Sequence, residues 1–156
     1  MHRFHSLKLL GCRLAPCNLV DYTSPQIEVH SWFRVSIIED AESTVERLLR
    51  ENDLVYSKER CASEDVKFDA QTIILTGQGM RFQRRGAYSA IERARAAVRL
   101  EKGLESMGCK VDYLPDQAAI KLLASGTVNL VISLPIFTKQ QIREMALTGK
   151  LLPHKT

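Results

Sequence analysis

The sequence lacks any apolar run approaching the ~20 residues that span a bilayer, so no transmembrane helix is expected. Its four cysteines, Cys12, Cys17, Cys61 and Cys109, are too few and too irregular for a disulfide scaffold, which favours a reducing compartment. No acidic residue precedes Asp21. Aromatic residues make up only 6% of the chain, leaving few rings to stack on bases. Catalytic signatures are missing as well. No P-loop ending in Lys-Ser/Thr occurs, and no histidine is placed as a base for a Cys61 or Cys109 nucleophile. The expectation therefore leans against an enzyme, with no catalytic residue, metal or cofactor assigned.

What is present is an ordinary globular composition. The 156 residues are 45% hydrophobic and 26% charged, enough for about one domain with its own core. The net charge of +4 and pI near 9.0 lean toward anionic partners. Residues 1–25 read as an irregular leader or a targeting segment, because Arg3, Lys8 and Arg13 stand without acidic neighbours. His2, His5, Cys12 and Cys17 are metal-liking residue types whose spacing matches no common zinc module. Residues 26–149 form the expected α/β domain, and 150–156 a polar tail. The protein is expected to be cytoplasmic, with organelle import as the alternative; a homo-oligomer or a subunit of a larger complex are both compatible with it.

Periodicity supplies the elements. Residues 27–38 alternate as a half-buried strand, with Phe33, Val35 and Ile37 inward, Arg34, Ser36 and His30 outward, and Trp32 and Ile38 a potential contact patch. Asp40 caps a helix striped by Ala41, Val45, Leu48 and Leu49. Strands at 54–60 and 71–76 flank a turn at 63–65, a helix spans 87–107, and another strand spans 109–114. A helix then opens at Pro115 and Asp116 and ends at Gly126. The strand at 127–134 puts Val128, Leu130, Ile132 and Leu134 on one face and Val131 on the other, the pattern of a strand covered on both sides. Thr138 and Gln141 then form a capping box, with Phe137 and Ile142 as a hydrophobic staple. A parallel βα unit is the natural reading.

The functional hint lies after the strand at 71–76. Gly77, Gln78 and Gly79 can turn the backbone close to a ligand, and Arg81, Arg84 and Arg85 can pair with phosphate oxygens beside a helix N-terminus. Phe82 stands where a dinucleotide fingerprint needs its third glycine. The expected ligand is thus an anionic, phosphate-bearing small molecule. RNA is the alternative, tracked by the basic loop 81–85 and the helix 87–107 through Arg95 and Arg99.

Residues 118–135, from Ala118-Ala119-Ile120-Lys121 through Gly126 to Pro135, resemble the late helix and strand of methylglyoxal-synthase-like domains, the kind that regulates carbamoyl phosphate synthetases. The resemblance implies a parallel sheet flanked by helices that binds phosphate-bearing effectors without catalysis. It carries over only framework, Gly126 and residues 129–135, because the aspartates of true methylglyoxal synthesis have no counterpart. The expectation is a non-enzymatic regulatory α/β domain with a mixed, partly parallel sheet. A ferredoxin-like α+β order with a C-terminal βα extension is the alternative.

Overall fold

The computed structural model describes residues 2–61, 73–86, 88–149 and 152–153. Helix α1 (His2–Leu9) is followed by chain without helix or strand up to Ser31. Leu9, Leu10, Leu14 and Leu19 are all exposed there. Strand β1 (Trp32–Ser36) leads through Asp40 into α2 (Ala41–Glu51). The Asp40 carboxylate accepts from the Ser43 amide at 3.1 Å, satisfying a donor that would otherwise face no partner in the first turn. Asp40→Ala is expected to cost about 1 kcal/mol in a urea titration, with the m-value unchanged. Next come β2 (Tyr56–Arg60), β3 (Ile73–Thr76) and β4 (Met80–Arg84), then α3 (Ala90–Ser106). The chain closes with β5 (Asp112–Pro115), α4 (Asp116–Ala124), β6 (Leu130–Ile132) and α5 (Lys139–Leu147). The expected turn at 63–65 lies outside the described residues.

The six strands form one sheet in the order β2-β4-β3-β6-β1-β5, and every neighbouring pair is antiparallel. This corrects the partly parallel sheet. The helix, glycine and strand at 118–135 do form, but β6 runs antiparallel to both β1 and β3. The ferredoxin-like alternative is also corrected, because β4 inserts between β2 and β3 and β6 separates β3 from β1. Two-sided burial suggested parallel strands, yet here it arises because helices cover both faces of an antiparallel sheet. On one face α2 and α3, with Ile142 and Met145 of α5, pack on Ile74, Phe82, Leu130, Ile132 and Leu134. On the other, Ala119 and Leu123 of α4 pack on Phe33, Val35, Leu75 and Val131.

Burial of β1 differs from the expected half-exposed strand. Phe33 and Val35 are buried against α4, but Arg34 and Ser36 on the opposite face are buried too. Ile37 is 71% exposed and Ile38 is buried, since regular pairing stops at Ser36 and the Asn129 side chain takes over by bonding the Ile38 N–H and C=O. Trp32 and Ile38 therefore do not form one contact patch. α2 and α3 approach closely at Gly103, where a β-carbon would lie 2.4 Å from Leu48 Cδ2. Among the described residues, no helix is long and apolar enough to cross a membrane.

Candidate functional site

The residues expected to form a phosphate loop make a β-hairpin instead. Gly77, Gln78 and Gly79 are the turn, with the Gly79 amide bonded to Thr76 O at 3.0 Å and a φ of +74° at Gly79. The Gly77 amide bonds Asn129 O at 2.8 Å, and a β-carbon at Gly77 would press on Asn129 at 3.2 Å. This glycine serves chain packing. Arg81 and Arg84 lie on β4, where alternation sends them to opposite faces. Arg81 pairs with Glu59 at 3.2 Å and with the Gln83 side chain at 2.8 Å. Arg84 turns to the face of Phe82, donates from Nη1 to Glu92 O at 3.1 Å and lies over the Tyr88 ring at 3.6 Å. Arg85 follows the strand and is exposed. The three guanidinium groups therefore do not gather in one hollow.

Cations and an aromatic ring do come together beside α5. The Thr138 hydroxyl accepts from the Gln141 amide at 3.2 Å while the Gln141 side chain accepts from the Thr138 amide at 2.9 Å, so the capping box fixes the start of this helix. Lys139 and Arg143 stand four residues apart and therefore share a flank. With Tyr22, Thr23, Gln140, Glu144 and Leu147 they line an open cleft of about 590 Å³. Lys139 Nζ donates to Ser24 O and sits 5.9 Å from the Tyr22 ring centroid. Arg143 has no carboxylate in ion-pair reach among the described residues. The Asp21 carboxyl is held below the usual carboxylate range, first by the Thr23 hydroxyl and more weakly by Lys139. On its other flank, α5 shares a second cleft with Ser89, Ile91 and Arg93.

An ammonium, a guanidinium and a phenol ring along one flank of a helix can hold a phosphate and cover a flat base. The Lys139 and Arg143 spacing was visible in the sequence as an i,i+4 pair just inside a capping box. Tyr22 was not, since it comes from the segment taken for a leader. His30 is exposed and bonds Glu28 at 3.1 Å. Cys61 and Cys109 are each partly buried.

No protein-family model and no curated protein matches the sequence. Solved structures do. A free serine kinase in complex with AMP is 22% identical with a TM-score of 0.75, covering 99% of this chain and 63% of its own. A mutant of free serine kinase in complex with ADP is 21% identical with a TM-score of 0.76 over the same shares. A conserved hypothetical protein from Pyrococcus furiosus is 21% identical with a TM-score of 0.74, covering 99% of this chain and 65% of its own. The chain shares its fold with these structures over 99% of its length. The present chain spans about 63% of the kinase structures' length. The kinase-like fold corrects the expectation of a non-enzymatic regulator, and with it the lean against an enzyme and the RNA alternative, because the architecture is shared with a kinase seen with AMP and with ADP.

Proposed function

We propose that this chain is a nucleotide-binding unit of kinase type, taking an adenine nucleotide such as AMP or ADP in the cleft between Tyr22 and α5. The observation that carries the reading is the likeness, over 99% of the chain, to structures holding those nucleotides. The cleft adds the chemistry. Lys139 and Arg143 would meet phosphate oxygens, and the Tyr22 ring would cover the base or sugar. Because 63% of the kinase structures' length has a counterpart here, the proposal covers nucleotide binding, and phosphoryl transfer is assigned to no residue.

Calorimetric titration with ADP tests it. The parent chain is expected to bind saturably, and Lys139→Ala/Arg143→Ala to weaken binding about tenfold, since contacts between exposed charges are screened. Arg85→Ala is expected to leave affinity unchanged. A loss confined to Arg85→Ala would move the site to the hairpin end, and absence of binding by both AMP and ADP would refute the reading.

A further inference from the structure

A second cationic group lies away from the α5 cleft, where β2 and β4 meet α3. Tyr56 and Arg84 stand directly opposite each other in the β2–β4 register and share the face that packs on α3. Arg84 is only 9% exposed. Its Nη1 is used by Glu92 O, but its Nε is buried with no hydrogen-bond acceptor. The Tyr56 hydroxyl is likewise buried without a partner. Arg84 and Arg99 both act electrostatically on that phenol, whose pKa burial pushes up to about 12.

The surroundings hold these groups in place. Gly86 has a φ of +102°, and a β-carbon there would lie 2.9 Å from the Tyr88 ring. Only glycine therefore lets the ring settle over the Arg84 guanidinium. Glu92 feels Arg84, yet its carboxylate is engaged in the α3 cap by the Ser89 amide at 2.8 Å and the Ser89 hydroxyl at 2.7 Å. Among the described residues no carboxylate lies within ion-pair reach of Arg84 or Arg99. Two buried donors without acceptors, beside two positive charges that no described carboxylate meets in an ion pair, form an arrangement that an anion would complete.

We propose that Tyr56, Arg84 and Arg99 bind a small tetrahedral oxyanion of the phosphate class. The Tyr56 hydroxyl and Arg84 Nε donate to its oxygens, and the exposed Arg99 closes over it from the solvent side. The site is independent of the α5 cleft.

The test titrates the whole chain with inorganic phosphate, followed by 31P line broadening and by thermal shift. Saturable binding is expected, weakened about tenfold in Tyr56→Phe, which loses one hydrogen bond to a charged group, and about threefold in Arg99→Gln. Arg85→Ala, exposed and part of neither site, is expected to bind phosphate like the parent. Displacement of phosphate by AMP, with AMP itself weakened in Tyr56→Phe, would overturn the proposal of an oxyanion site separate from the nucleotide's. Phosphate affinity equal to the parent's in both Tyr56→Phe and Arg99→Gln, or no saturable binding at all, overturns the proposal. Arg99 is exposed, so its variant tests the site even if Tyr56→Phe fails to fold. ADP binding lost only in the α5 variant bears on the nucleotide cleft alone.

Discussion

Glu101→Ala is expected to lower the unfolding free energy by about 3–5 kcal/mol, the range for stripping one partner from a buried ion pair. Arg34 enters the core on β1 with its side chain fully enclosed, and its Nε meets Glu101 Oε2 of α3 at 3.0 Å. Its Nη1 bonds Trp32 O at 3.1 Å, while Nη2 is buried with no hydrogen-bond partner. Glu101 is itself 13% exposed and accepts from the Tyr113 hydroxyl. Burial first, and then that bond, push the Tyr113 pKa up to about 12. Without the carboxylate, a guanidinium would remain in the interior with one backbone carbonyl and a ring 5.5 Å away. The double replacement Arg34→Met/Glu101→Leu removes both charges and is expected to recover most of the loss. Urea unfolding of the parent and the two variants decides the matter. A loss below about 1 kcal/mol in Glu101→Ala would mean that water reaches Arg34 and that the pair behaves like a surface one.

Phe82→Ala is expected to cost about 3–5 kcal/mol, the usual penalty for emptying a large aromatic site in a packed core. Phe82 is 2% exposed and lies among the core residues that α2 and α3 cover. Its strand is held on both sides, by Lys58 of β2 and Ile74 of β3 in register. Arg85→Ala, three residues on, is expected to change stability by less than about 0.5 kcal/mol, as at other exposed sites. The contrast measures whether residues 80–84 are sheet or loop. Equal, small effects at both positions would return this segment to an irregular basic loop.

That segment shows where reading the chain succeeded and where it did not. Local signals translated well: the Asp40 cap, the Thr138–Gln141 box, the turn at Gly126 and the stripe Ala41, Val45, Leu48, Leu49 all depend on neighbours within a few residues. β4 was masked because Met80, Phe82 and Arg84 are the buried side of a plain alternation, and one of the three is an arginine. Alternation also made Arg34 look solvent-facing, since its partner Glu101 lies 67 positions away. Strand direction was not legible, because Leu130-Val131-Ile132 has the same composition whether its neighbours run with it or against it. The α5 cleft escaped for the same reason as the ion pair: Tyr22 and Arg143 are joined only by the folded chain.

The placing of β6 has a consequence for the order in which the protein can be made. Among the described residues β2, β4 and β3 pair among themselves, β1 pairs with β5, and β6 with the adjoining Asn129 ties the two groups of the sheet together. A chain emerging from the ribosome holds two separate pieces of sheet, each with an open apolar edge, until this late segment appears. Those edges are the places where a nascent or truncated product would aggregate.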